Sequence, residues 1–223
     1  MAFAPRYHAW IRDEFAPALH GDVAEVGAGD GGFSHLLLAL PLRSLTLYEP
    51  CAALQARQPP TLGRPDVTRK PTTLGADAPQ SAFDAVLYVN VLEHIADDVR
   101  ELALAHAALR PGGRLCVFVP ALRWLTSAHD RRVGHQRRYG RAELRQKVEA
   151  AGFTIERLDW FDAPGVLGWA LCMKLLGLTM QPATVALYDR AVVSWLRPLE
   201  QRWRPPVGKN LLLVARRSEA PAG

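Results

Sequence analysis

Apolar runs of strand length alternate with helical patterns along most of this chain. Tyr7 to Leu19 places Trp10, Ile11 and Phe15 near helical spacing and predicts an amphipathic helix. Asp22 to Val26 is a short strand that runs straight into glycines, and Phe33 to Ala39 then reads as a helix. Leu45 to Tyr48 is a second strand closed by Glu49-Pro50, followed by a helix from Cys51 to Arg57 that Pro59-Pro60 ends. A weaker strand lies near Asp66 to Thr73. Phe83 to Val89 is a continuous apolar run, the pattern of a strand buried on both faces. Ala96 to Leu109 is a helix rich in Ala and Leu that Pro111-Gly112-Gly113 stops, and Leu115 to Val119 is a fifth strand. Arg141 to Ala151 is a helix with Gly152 just past its end. Thr154 to Phe161 and Asn210 to Ala215 are the last two strands.

Strands alternating with helices predict an α/β domain of three layers, a mostly parallel sheet between two layers of helices. No Ser/Gly-rich or charged linker divides the 223 residues, so one domain spanning 1–223 is expected, opening with an N-terminal helix over 1–20. Between the last two strands, residues 162–209 carry helical patches at Val166 to Leu176 and Ala183 to Trp203. That segment reads as a helical insertion and is expected to cap the active site.

Charge adds a question about partners. The net charge is +5, with much of the excess in Arg131 to Arg145 and Arg197 to Lys209. Such a balance fits a nucleic acid, an acidic membrane surface, an anionic small substrate or a plain solvated surface. The three cysteines, Cys51, Cys116 and Cys172, are isolated, which argues against a disulfide framework and fits a cytoplasmic location. Met1 to Trp10 lacks the apolar core of a signal peptide. Gly165 to Thr179, the longest apolar stretch, is too short to span a bilayer and carries Lys174.

The strongest local signal is Glu25-Val-Gly27-Ala28-Gly29-Asp-Gly31-Gly32, set between a strand and a helix. Glycines there let the chain turn sharply and let a ligand approach the backbone. Glu49, ending the next strand, is placed to accept the hydroxyl protons of a ribose. Taken alone, this loop fits NAD as well as S-adenosylmethionine.

Four features together resemble class I S-adenosylmethionine-dependent methyltransferases of the small-molecule type. These are Glu25-x-Gly27-x-Gly29-x-Gly31, Gly75-Ala76-Asp77-Ala78, Phe83-Asp84-Ala85-Val86 leading to Asn90-Val91-Leu92-Glu93-His94-Ile95, and Leu109-Arg110-Pro111-Gly112-Gly113-Arg114-Leu115. The likeness covers Tyr7 to Ala151 and the final strand. It implies a Rossmann-like sheet of seven strands, the last one antiparallel. It also implies S-adenosylmethionine as cofactor, S-adenosylhomocysteine as product, and a role for each matching position. Gly27, Ala28, Gly29 and Gly31 would line the methionine part, with Glu25 at its amino group. Glu49 and Pro50 would meet the ribose, Asp77 and Ala78 the adenine, and Asn90, Val91 and His94 the sulfonium end.

Methyl transfer needs a base only where the acceptor must lose a proton. His135, in the polar stretch His129 to Tyr139 after the fifth strand, is the candidate base. This stretch is too polar to be core. Arg137, Arg138 and Tyr139 are candidates to orient an anionic acceptor, or are surface residues or partners of Glu143 and Glu149. Tyr7 and Trp169 are further candidate substrate contacts, with packing as the alternative. The acceptor is expected to be a small molecule bearing an O or N atom, in natural-product, glycan or lipid biosynthesis. A nucleic-acid substrate is not expected, because Asn90-Val91-Leu92-Glu93 replaces the Asn/Asp-Pro-Pro-aromatic tetrad. An NAD-dependent oxidoreductase and a non-catalytic cofactor-binding protein are the rival functions. No metal site is expected, since His20, His35, His106 and His129 do not cluster with carboxylates at ligand spacing. Peripheral membrane contact and a monomer or homodimer are both compatible with the sequence.

Overall fold

The computed structural model describes residues 4–176 and 181–218. Its strands are β1 (Gly21–Val26), β2 (Leu42–Tyr48), β3 (Val67–Lys70), β4 (Phe83–Val89), β5 (Leu109–Pro120), β6 (Phe153–Phe161) and β7 (Asn210–Arg217). They form one sheet in the order β3-β2-β1-β4-β5-β7-β6. All neighbours are parallel except that β7 runs antiparallel to both β5 and β6. The chain leaves β1 toward one edge and returns on its other side as β4. The carboxyl ends of β1 and β4 therefore flank a switch point, where open α/β sheets form a ligand crevice.

The helices are α1 (Pro5–Phe15), α2 (Ser34–Leu37), α3 (Ala52–Gln55), α4 (Leu74–Asp77), α5 (Asp98–Ala108), α6 (Ala128–Arg132), α7 (Arg141–Ala150), α8 (Ala163–Gly168), α9 (Pro182–Ala191) and α10 (Val193–Arg202). The two faces of the sheet carry separate cores. Along β4, Val86 and Tyr88 join the core under α5 and α7, while Ala85, Leu87 and Val89 join the core under α1 and α10. That alternation follows from the two-residue period of a strand, and apolar residues on both sides explain the continuous run in the sequence.

At the amino edge of the sheet, Asp84 accepts a hydrogen bond from the Asp22 amide at 2.8 Å. Arg43 and Arg110 bridge the Asp22 and Asp84 carboxylates. The Phe83-Asp84 and Leu109-Arg110 motifs thus tie β1, β2, β4 and β5 at the end away from the crevice.

The insertion has two destinations. α8 continues as a wider π-type helix, Trp169–Leu175, whose Trp169 indole donates to the Leu125 carbonyl at 3.1 Å. α9 and α10 instead back α1: Asp189 accepts the Arg6 and Tyr7 amides, and Val193 and Leu196 enter the core. The expected cap is therefore divided, and its second half buttresses the N-terminal helix. The end of the Gly165 to Thr179 run, and Met1 to Phe3, lie outside the described residues. Five arginines of the two basic stretches, Arg137, Arg138, Arg145, Arg197 and Arg204, each meet a carboxylate, so much of the excess charge is locally matched.

Trp10 anchors α1 to the sheet, 1% exposed and stacked on Phe161 with ring centroids 3.9 Å apart. Trp10→Ala is expected to lower stability by about 3–5 kcal/mol, read as a lower midpoint in urea unfolding. A loss under about 1 kcal/mol would mean that α1 is not a cooperative part of the fold.

Candidate functional site

The loop after β1 turns on left-handed glycines: φ is 73° at Gly27 and 58° at Gly29. A Cβ at Gly27 would lie 2.5 Å from Val91, so only glycine lets the loop close on the end of β4. At Gly29 the nearest atom to such a Cβ is a backbone oxygen at 4.0 Å, which leaves that side of the loop open to a ligand. Glu49, at the end of β2, accepts the Gly29 and Cys51 amides, each at 2.8 Å. Glu25 is buried under the loop, and its Oε2 has no hydrogen-bond partner among the described residues. Burial pushes its carboxyl up to about 8. A buried carboxyl with a free oxygen suits a cationic group, and S-adenosylmethionine carries an ammonium; Glu25 thus fits that cofactor.

A cavity of about 520 Å³ opens beside this loop, walled in part by Val26, Gly27, Tyr48, Pro50, Ala76 and Val91. No described residue of the insertion lines it. Asp77 and Ala78 are not among its walls; Asp77 accepts the Tyr48 hydroxyl at 2.8 Å and pairs with Lys70 at 3.4 Å. Ala78 ends α4 in a left-handed conformation. Asn90 ends β4 at φ 53°, a conformation Asn tolerates, and its amide donates to Phe118. The structure thus gathers Gly27, Pro50 and Val91 on the cavity wall, with Gly29, Gly31 and Glu49 in the adjoining loop and strand end.

The polar stretch after β5 departs from expectation. Asp130 is 1% exposed, Arg138 2% and Tyr139 0%, so these three side chains are core, while Arg131 and Arg132 stay at the surface. Asp130 accepts His135 Nδ1 at 2.9 Å, Arg138 Nε at 3.1 Å and the Ser127 amide and hydroxyl. Burial alone would raise the Asp130 carboxyl, but the His135 and Arg138 hydrogen bonds hold it well below the usual carboxylate range. Arg138 also donates to the Ala121 carbonyl and lies 4.5 Å over the Trp169 ring. The Tyr139 hydroxyl donates to Asp98 at 2.7 Å, and burial raises its pKa well above the usual phenol range. The expectation that Arg138 and Tyr139 meet substrate is therefore corrected: both are enclosed and fully partnered. Glu143 pairs with Arg123 and Lys147, and Glu149 with Arg145, so neither takes Arg138.

His135 is half-buried, with its Nε2 3.9 Å from Glu93 Oε1 and its ring centroid 4.7 Å from that of His94. Glu93 has 0% exposure, and neither of its carboxylate oxygens has a hydrogen-bond partner among the described residues. Burial pushes it up to about 8. Burial and the neighbouring His135 lower His94. The ligand-type atoms of Glu93, His94 and His135 all lie within 4.8 Å of one another. This group has no signature in sequence spacing, because α5, β5 and α6 separate His135 from Glu93 and His94.

Tyr7 is placed elsewhere. Its hydroxyl lies 3.2 Å from both Asp162 and Asn210, and its ring packs edge-on against Trp10, Phe118 and Phe161. Asp162, fully buried in a left-handed conformation, also receives Tyr188, Lys209 and the Gly165 amide. This junction between insertion and sheet had no sequence signal, since Asp162 reads as an ordinary turn residue.

Comparison with known proteins agrees with this geometry. A family model described as a methyltransferase domain matches residues 3–158. A probable S-adenosylmethionine-dependent methyltransferase of Mycolicibacterium smegmatis is 30% identical over 157 residues, which are 68% of this chain and 59% of that protein. The chain thus matches about three-fifths of that relative's length. Among solved structures, an S-adenosylmethionine-dependent methyltransferase from Mesorhizobium loti superposes with a TM-score of 0.66 at 17% identity, covering 96% of this chain and 98% of that one. Phosphoethanolamine N-methyltransferase 2 of Haemonchus contortus, in complex with S-adenosyl-L-methionine, gives 0.65 at 17% identity, covering 96% and 52%. Such distant likenesses speak for the fold, and the sequence match carries the rest: the chain belongs to the class I S-adenosylmethionine-dependent methyltransferase family.

Proposed function

We propose that this protein transfers a methyl group from S-adenosylmethionine to an O or N atom of a small-molecule acceptor. The observation that carries this reading is the unpartnered Glu25 oxygen beneath an open glycine loop, with Glu49 beside it. The cofactor supplies an electrophilic methyl group on a sulfonium. Glu25 would hold its ammonium, Gly27, Ala28, Gly29 and Gly31 its methionine chain, Glu49 and Pro50 its ribose. Asp77 and Ala78 remain the adenine side, and Asn90, Val91 and His94 the sulfonium side. Positioning and exclusion of water account for much of the rate in such a displacement. Where the acceptor is a hydroxyl, His135 is the proton acceptor: Asp130 holds Nδ1, which leaves Nε2 to take the proton.

Calorimetry with S-adenosylmethionine, S-adenosylhomocysteine and NADH tests the cofactor. The first two are expected to bind and NADH is not. Glu49→Gln, which keeps one acceptor oxygen, should weaken binding about 10-fold, and Glu49→Ala about 100-fold. Binding of NADH alone would make the protein an oxidoreductase.

Glu25 gives the binding a pH signature. Its raised value keeps it protonated near neutrality, whereas the ammonium needs the carboxylate. Affinity should therefore rise between about pH 6 and about pH 8, with a proton released on binding. In the free protein the sign is opposite: the stability gained from a neutral Glu25 is complete below its unfolded pKa and is lost as pH rises through about 8. Binding enthalpies measured in two buffers of different ionisation enthalpy should differ, and Glu25→Gln should remove the difference. Equal enthalpies for the wild type would rule out this role.

The surface favours a lipid-borne acceptor. Leu167, Leu171 and Leu175 follow one another at four-residue spacing and are 77%, 54% and 75% exposed, beside Trp124 at 53%. Exposed Arg123, Arg131 and Lys174 accompany them, which suits an anionic headgroup layer. No described helix is long and apolar enough to cross a membrane. Sedimentation with phosphatidylglycerol vesicles should retain the protein, and Leu171→Asp with Leu175→Asp should release it at least about 10-fold. No retention by such vesicles, or self-association lost in the same variant, would assign the patch to a protein contact instead.

A further inference from the structure

We propose that Glu93, His94 and His135 form a binding site for a divalent transition-metal ion, with at least one coordination position left for the acceptor. Three observations converge on it. The ligand atoms of the three side chains lie within 4.8 Å of one another. Metal–ligand bonds of about 2.0–2.2 Å place tetrahedral neighbours about 3.3–3.6 Å apart, so small rotations of the exposed His94 and of His135 close the site. Second, Glu93 is fully buried with both carboxylate oxygens unpartnered among the described residues, and one of them points toward His135 Nε2 at 3.9 Å. A buried carboxylate without partners is costly unless something completes it. Third, Asp130 occupies His135 Nδ1 at 2.9 Å. A carboxylate on the far nitrogen fixes the tautomer and aims the Nε2 lone pair inward, the outer-sphere support that metal-bound histidines receive. Arg138 and the Ser127 amide and hydroxyl in turn hold Asp130 in place.

The donor set chooses the ion. Two imidazoles and one carboxylate, with no thiolate, suit zinc, manganese, cobalt or ferrous iron better than magnesium or calcium. Three protein ligands leave a fourth position open, as in sites that act on a bound oxygen. For catalysis this rests on the methyl-transfer reading. A hydroxyl acceptor on the open position would have its pKa lowered by the ion and lose its proton to water. His135 then acts as a ligand, and its free imidazole serves as proton acceptor only in the metal-free protein.

The test is equilibrium dialysis of chelator-stripped full-length protein against Zn²⁺ or Mn²⁺ alone, with bound metal measured by elemental analysis. The same samples are titrated with S-adenosylhomocysteine. The wild type is expected to take up about one equivalent. Glu93→Gln and His135→Gln should each lower metal affinity at least about 10-fold, while His106→Gln, remote from the cluster, should retain it. Circular dichroism establishes that each variant is folded. Manganese bound to the wild type should give an electron paramagnetic resonance signal altered by His135→Gln, a readout that a merely structural role would leave unchanged. Substoichiometric uptake, or equal uptake by wild type and both variants, would overturn the site. Metal uptake without S-adenosylhomocysteine binding would leave the site standing and remove the methyltransferase reading instead.

Discussion

The carboxylate of Asp130 is the constraint around which the segment from Ser127 to Tyr139 is built. It is 1% exposed and ionised, and a charge so placed must be matched nearly completely. Ser127 caps one oxygen from the chain before it, while His135 and Arg138 take the other from the chain after it. Those bonds pull the loop inward, set Arg138 over the Trp169 ring, and turn His135 Nε2 toward Glu93. Breaking such a buried pair on one side costs about 3–5 kcal/mol, enough to keep the loop in one arrangement. The orientation of His135 is thus a consequence of charge neutralisation and does not depend on His135 alone.

Much of the fold was legible because it rests on local periodicity. Phe83–Val89 has the same bounds in sequence and structure, and five of the other strands agree within about three residues at each end, but β5 begins at Leu109, six residues before the expected Leu115, because Pro111-Gly112-Gly113 reads as a helix stop and lies within the strand. Their apolar runs arise from burial between two helix layers, which is visible in sequence without knowing the topology. The antiparallel direction of β7 is what the resemblance implies, whereas its position between β5 and β6 is not local and has no signal in the sequence. Short α4 and α6 carried too few residues to show a period. The destination of α9 and α10 was misread for a related reason. Their apolar stripes said that they pack, and only the buried pairing of Asp189 with the α1 amides says against what.

The candidate site was legible where a backbone conformation demands a residue type. Gly27 and Gly29 need left-handed φ, and Asn90 tolerates it, so these positions show themselves in the sequence. Polarity, by contrast, misled. His129 to Tyr139 looks like surface because Asp, Arg, His and Tyr usually are. The burial of its Asp130, Arg138 and Tyr139 depends on pairings between residues five to eight positions apart, and with Leu92 and Asp98 across the fold. Glu93 was equally hidden. Beside His94 it reads as a polar loop residue, yet the turn after β4 drives it inward.

Two buried carboxyls, Glu25 and Glu93, then stand out for the same physical reason. Each is enclosed by its own loop, each has an oxygen that no described group satisfies, and burial raises each to about 8. Other enclosed acids among the described residues are matched: Asp98, Asp130, Asp162 and Glu200 all have several partners. The exceptions lie at the two strand ends that flank the switch point, β1 and β4, where the fold itself opens a crevice. An unsatisfied acid at such a place is destabilising in the free protein and is compensated only when a cation arrives. The cost is therefore located where a ligand can offset it, one acid beneath the glycine loop and the other facing His135.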